Sequence, residues 1–243
     1  MQYDQPLLVV AKLSTHFRIS SLVKQLKSEG QATYAPQANN ASEQCEVILD
    51  GMSFLLSRYA PAELNKGFEI DTLANSFCKK PVSDSSAIGI ALGENIKSGK
   101  HVATINRALL KLAILTGDIV NATHVSWLPA RHNIDFGFFV EAANDYIAGG
   151  PVPALIQVAV NKSSDGALHT TGLDYFCGQE VVFQAPPDFP ENESIKRLVR
   201  IAHDLATNGP IDNAIETSGL DVDETIRFQP SGDSKHLSVE IIV

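Results

Sequence analysis

This 243-residue chain is poor in the residues that usually announce a reaction, and each shortage removes a class of explanation. Its three cysteines, Cys45, Cys78 and Cys177, are far apart, odd in number and form no CxxC, so no disulfide framework is implied. No apolar run approaches the roughly 20 residues that span a bilayer. The opening MQYDQPLLVV lacks the cationic run and long apolar stretch of a signal peptide. A cytoplasmic protein is therefore expected. Cations are outnumbered, with a formal net charge of −9. Residues 186–243 carry 11 acidic and 5 basic side chains, a net −6, which leaves −3 for the first 185. A field of that sign disfavours nucleic acid and anionic membrane as partners, and it suits a basic protein. The seven histidines form no HExxH, no HxH and no i,i+4 pair. GxSxG, GxGxxG and GK[ST] are missing too, so serine hydrolase, dinucleotide and phosphate-loop readings have no support.

What remains is an ordinary folding composition, 44% apolar and 19% charged. A body of this size buries roughly 70% of its unfolded surface without a metal or a disulfide. The order of elements predicts an α+β fold with a mixed or largely antiparallel sheet and helices packed on one side. Leu7–Leu13 reads as a strand. Ser14-Thr15 offers a cap to a helix over Ile19–Leu26 that stops at Gly30, and residues 31–44 read as a surface loop. Asp50-Gly51 joins Glu46–Leu49 to Met52–Leu56 as a tight hairpin. Pro61 marks a turn, and Ser83 to Ser86 cap a helix over Ala87–Ile96 with a small-residue side. His101–Ile105 reads as a strand, Ala108–Thr116 as a helix behind Asn106, and His124–Trp127 as a strand. Leu128–Asn133 is a loop, and Phe136–Ile147 is a helix ending at Gly149-Gly150. Leu155–Val160, a turn at Asp165-Gly166 and a strand up to Gln184 follow. After the Ala185–Pro190 punctuation come a helix over Ile195–Leu205 and a strand pair, Thr225–Phe228 with His236–Val243. One domain over 1–243 is expected, with 190–243 as a helix plus strand-pair extension of the same core.

Three constellations can be argued from side-chain chemistry. His124, His132 and Asp135 make a metal site only if the loop folds back over the strand. Cys177 with His169 would be a thiol nucleophile and base, but a strand-rich core usually leaves cysteine inert. Thr171, Asp174 and Glu180 surround a glycine that interrupts strand formers. An inward-pointing Glu180 must be paired, because an isolated buried carboxylate is costly. The alternative is a hairpin shaped by local hydrogen bonds. No metal or cofactor is assigned.

Across Thr170–Glu180 the chain reads TTGLDYFCGQE. This resembles a bacterial domain family of unknown function whose C-terminal signature runs approximately T-x-G-L-x-x-F-G-x-x-E. Thr171, Gly172, Leu173, Phe176 and Glu180 occupy matching positions, with the first threonine shifted. Cys177 stands where the pattern has glycine, and Gly178 follows it. The likeness covers residues 100–184 and the rest loosely. It implies a cytoplasmic bacterial protein with no established catalytic residues. Some similar small domains are suspected of a role in contact-dependent toxin immunity, which works by protein binding. The candidate motif is thus Thr171, Gly172, Asp174, Phe176 and Glu180. The expected function is a non-enzymatic interaction domain with a protein partner, basic if selected by charge. The alternatives are a small-molecule binder or uncharacterised enzyme with a pocket at this segment, and a homo-oligomer formed through a strand edge.

Overall fold

The structure, a computed structural model, describes residues 5–28, 33–34, 44–78, 85–186, 189–221 and 223–242. The expected stop at Gly30, most of the 31–44 loop and the Ser83 cap lie outside the described residues. The fold is mixed α+β, with antiparallel-dominated sheets and helices packed alongside them. The chain forms two compact units, Met1–Gly150 and Pro151–Val243. The boundary falls at Gly149-Gly150-Pro151, where glycine and proline break regular structure. Residues 190–243 complete the sheet and core of the second unit.

Among the described residues of the first unit, eight strands take the order β2-β3-β4-β6-β1-β7-β8-β5. They are β1 (Leu7–Ala11), β2 (Thr33–Tyr34), β3 (Gln44–Leu49), β4 (Met52–Tyr59), β5 (Ala74–Asn75), β6 (Ser86–Leu92), β7 (His124–Trp127) and β8 (His132–Asp135). The pair β5–β8 is parallel and the others are antiparallel. Helix α1 (Ile19–Ser28) buries Ile19, Leu22, Val23 and Leu26, the stripe its spacing predicts. Helix α2 (Pro61–Phe68) places Leu64 against Leu8, Val10, Ala87 and Leu128. Alternation sends Leu7 and Val9 to the opposite face, and β1 and β6 are buried throughout. Both faces of the central strands are therefore covered. Helices α3 (Ala103–Val120) and α4 (Phe136–Ile147) pack on one another. The Asp50-Gly51 hairpin forms as expected, with φ of 50° and 78° at its two turn residues.

Several elements differ from the sequence reading. Ala87–Ile96 is not a helix, because Ala87, Gly89 and Ala91 alternate with Ile88, Ile90 and Leu92 at period two and form β6. His101–Ile105 is not a strand. Helix α3 begins at Ala103 and carries Asn106 as a buried interior residue. Pro61 starts α2, where its missing amide costs nothing, rather than only ending a strand. The Leu128–Asn133 loop is shorter than expected, since β8 begins at His132.

Gly89 shows why β6 needs small residues. A Cβ there would lie 1.4 Å from Gln5 Nε2 and 2.7 Å from Tyr59 Cε2. Those two side chains are joined by the Tyr59 hydroxyl donating to Gln5 Oε1 at 2.7 Å. Gly89→Ala should therefore destabilise the unit by about 1–3 kcal/mol through overpacking. A lowered urea midpoint with unchanged slope is the expected reading.

Among the described residues, the second unit holds a six-stranded sheet in the order β12-β13-β14-β11-β10-β9. Its strands are β9 (Ala159–Lys162), β10 (Leu168–Thr171), β11 (Glu180–Gln184), β12 (Ile215–Ser218), β13 (Thr225–Pro230) and β14 (His236–Ile242). Short helices α5 (Ala154–Gln157) and α6 (Asp174–Cys177) precede and follow the β9–β10 hairpin, and α7 (Glu191–Asn208) follows β11. The expected strand over Leu155–Val160 is thus split: the segment after Pro153 closes a helical turn, and pairing starts at Ala159. Leu237, Val239 and Ile241 of β14 point inward, while His236, Ser238 and Glu240 are exposed. The inward set joins Val181, Phe183, Phe228 and the Leu198, Ile201 and Leu205 face of α7. Each such fully buried large side chain contributes roughly 1.5–3 kcal/mol. Among the described residues no helix is long and apolar enough to cross a membrane.

Candidate functional site

The TTGLDYFCGQE segment is organised by one carboxylate. Beyond the pairs Leu168↔Phe183 and His169↔Val182, the β10–β11 ladder gives way to side-chain bonds. The Val181 amide donates to Thr170 Oγ1 at 2.7 Å, and the Thr170 hydroxyl donates to Glu180 Oε2 at 2.6 Å. Glu180 Oε1 accepts from the Gly172 amide at 2.6 Å and the Asp174 amide at 3.3 Å. Gly172 stands at φ +97°, a conformation that a side chain would strain, and it turns the chain so that both amides face Glu180. Gly178, at φ +79°, closes α6. The left-handed position is thus Gly178, one place after Cys177. Leu173, Tyr175 and Phe176 are buried beneath the loop.

Burial raises the Glu180 carboxyl above the ordinary carboxylate range, and the neighbouring Asp174 adds to the rise. The Thr170, Asp174 and Gly172 bonds pull the other way without offsetting it. Glu180 is therefore paired, but by the loop it shapes. Of the residues expected to converge with it, Asp174 contributes its backbone amide. Thr171 turns away and accepts from Asn161 Nδ2 at 3.1 Å. Thr170, which the candidate motif leaves out in favour of Thr171, supplies the hydroxyl, because Leu168 and Thr170 share the inner face of β10. Gln179 was also missed. Buried at the end of the motif, it exchanges two bonds of 3.0 Å with the backbone of Ile211.

The other two constellations do not assemble. Across β7–β8, His124 is opposite Asp135, and His132 is opposite Trp127. His124 and Trp127 are three residues apart, so the two histidines sit on opposite faces and about 10 Å apart along the strands. Asp135 is engaged as the cap of α4, accepting from Gly137 and Phe138 amides at 2.9 and 3.3 Å. Among the described residues no group of three His, Cys, Asp or Glu could hold a metal ion. The Cys177 thiol donates to the carbonyls of Leu173 and Gln179, and burial pushes its pKa up to about 11. His169 instead meets the Ser163 hydroxyl at 3.0 Å. A thiol held protonated at neutral pH is a poor nucleophile.

Two further features stand out in the second unit. A cleft of about 450 Å³ lies beyond the Asp165-Gly166 turn, with Leu168, Phe183 and Phe189 on its apolar side and the Lys162–Glu191 pair at its rim. No residue of the candidate motif lines it. At the opposite end of the sheet, all four residues of β12 are exposed. Ile215 and Leu220 leave 45% and 43% of their surface in solvent. Residues 211–224 contain Asp212, Glu216, Asp221, Asp223 and Glu224 and no basic residue. Only Glu224 of these is buried, tied to the equally buried Arg197 of α7. No protein family, curated protein or solved structure gives a significant match to the chain.

Proposed function

We propose that this chain is a cytoplasmic protein-interaction protein of the immunity-like kind, with no chemistry of its own, and that it binds a basic partner through the acidic edge around β12. The observation that carries this reading is the exposed strand itself. It carries the exposed Ile215, with Leu220 just beyond its end, beside a run of five carboxylates, of which Glu216 meets Arg227, Asp221 and Glu224 meet Arg197, and Asp212 and Asp223 are exposed. Such an arrangement combines an apolar contact with a field that attracts and orients a cationic surface. The Glu180 network supports the same reading, because its donors are spent on shaping the hairpin. The cleft beside Phe189 favours a second reading, binding of a small molecule.

Capture from the native cell with intact-mass analysis separates the two. The chain should retain a basic protein in stoichiometric amount. Retention should fall when Asp212→Asn, Glu216→Gln and Asp223→Asn are combined, and it should weaken as salt shortens the screening length to about 3 Å near 1 M. A stoichiometric small ligand with no protein partner would overturn the interaction reading.

A further inference from the structure

Resting on the protein-binding reading above, we infer that β12 receives an extended, basic segment of the partner as a seventh strand of the second unit's sheet. Among the described residues, strand β12 ends the sheet order and pairs with β13 alone, from Ile215↔Phe228 to Ser218↔Thr225, without a bulge. The Gly219 amide continues that ladder by donating to the Glu224 carbonyl at 2.7 Å. In an antiparallel pair the residues that face the partner alternate. Gly219, Thr217 and Ile215 therefore face β13, and the amides and carbonyls of Glu216 and Ser218 point outward. These four groups are the hydrogen-bonding set that an added strand requires.

Exposed edges are ordinarily guarded by lysine, proline or a bulge. The opposite edge follows that rule: β9 ends in Lys162, held by Glu191 of α7. The sequence Ile-Glu-Thr-Ser of β12 has none of these guards. Its one charged residue, Glu216, lies across the ladder from Arg227, which donates to it at 2.9 Å. Ile215 and Leu220 flank the open edge as apolar contacts for the incoming segment. Charge selects the occupant. A second copy would bring the exposed Asp212 and Asp223, beside the arginine-paired Glu216 and Asp221, against themselves, whereas a lysine- or arginine-bearing strand meets this net negative region with opposite sign.

The test uses the full chain and three synthetic probes. The first is an end-blocked heptapeptide alternating lysine and valine, the second its glutamate counterpart, and the third the lysine peptide N-methylated at every residue, so that neither of its edges can donate. The lysine peptide should shift the amide resonances of Glu216 and Ser218 and slow their hydrogen exchange. The glutamate and N-methylated peptides should do neither. Ser218→Pro deletes one outward amide without touching the β12–β13 ladder, a place where an edge strand tolerates proline. It should weaken the lysine peptide by about fivefold to tenfold, the worth of one main-chain hydrogen bond. The N-methylated probe works on the unaltered chain and stands even where the proline variant fails to fold. Equal binding of the N-methylated peptide, perturbation confined to other strands, or a β12-mediated dimer would overturn strand addition while leaving protein binding intact. Absence of any captured protein partner would overturn the underlying reading itself.

Discussion

Replacing Arg197 with methionine is expected to cost the second unit about 3–5 kcal/mol, the usual penalty for removing one member of a buried ion pair. The guanidinium is only 2% exposed and spends its donors on three carboxylates. Nε reaches Glu224 at 2.8 and 2.9 Å, Nη2 reaches Glu224 at 2.5 Å and Asp221 at 2.6 Å, and Nη1 reaches Glu193 at 3.2 Å. Its face lies 4.9 Å from the centre of the Phe189 ring. Without the arginine, the buried Glu224 would keep its charge with no cation beside it. Arg197→Lys should recover only part of the loss, since an ammonium cannot supply the planar fork. Arg197→Met with Glu224→Leu should recover much more, because two apolar groups leave no buried charge unpaired. Urea unfolding of the four proteins checks the order. A pH series adds a sign. The hydrogen bond from Arg197 holds the Glu224 carboxyl below its ordinary range. The pair's contribution is thus present above the usual carboxylate pKa of about 4.3 and is lost as pH falls through the depressed folded value.

Glu180 should behave in the opposite sense. Its folded-state pKa is raised, so the stability its proton provides is complete below about 4.3 and disappears as pH rises through the folded value. Glu180→Gln keeps an oxygen for the Gly172 and Asp174 amides and has no ionisation, so the fall in stability across that window should vanish. Glu180→Ala leaves both amides and the Thr170 hydroxyl without their acceptor. A loss of about 2–4 kcal/mol is expected, given the worth of hydrogen bonds to a charged group and the partial access of water to this loop. Denaturant midpoints at pH 4 to 7 distinguish the variants. The same flattening in Glu180→Ala and Glu180→Gln, with equal midpoints, would contradict the account of the loop.

What could be read from sequence depended on whether the deciding interaction was local. The alternation of Leu237, Val239 and Ile241 and the Asp50-Gly51 turn are local, and they form as expected. The helical stripe of α1 also follows from spacing alone, whereas in α4 the buried residues are Phe139, Ala143 and Tyr146, and Phe136, Val140 and Ile147 of the expected stripe are only partly buried. The β6 segment misleads because Ala, Gly and Ala suit either a helix or a strand. The choice is made by Gln5 and Tyr59, which need the space over Gly89. At His101–Ile105 the β-branched Val102, Thr104 and Ile105 suggest a strand, yet the run from Ala103 onward continues the buried helix α3. The motif was visible as an unusual cluster of residues, and Glu180 was correctly singled out as needing partners. The identity of those partners was not visible, since a hydroxyl at Thr170 and two amides are chosen by backbone geometry. The bond between Arg197 and Glu224 spans 27 residues and leaves no periodic trace. The open edge at β12 was likewise hidden, because exposure of both sides of a strand is a property of the assembled sheet.

The acidic character of the C-terminal region, readable from composition, acquires a location through the fold. The carboxylates of residues 211–224 gather at one end of a sheet whose core is closed by α7 and β14. Function and stability then fall largely to different residues: Glu224 turns inward to Arg197 and Asp221 joins it there, whereas Asp212, Glu216 and Asp223 face solvent. Substitutions at Asp212, Glu216 and Asp223 should accordingly leave the unfolding midpoint nearly unchanged, in contrast to those at Arg197.

The central claim is that recognition takes place at the β12 edge and not at the Glu180 loop. Hydrogen exchange of the full chain, alone and saturated with the protein it captures, tests this most directly. Slowed exchange concentrated at residues 214–219, with Thr170–Glu180 unchanged, is the predicted result. Protection confined to Thr170–Glu180 or to the first unit, with residues 214–219 exchanging as in the free chain, would contradict it.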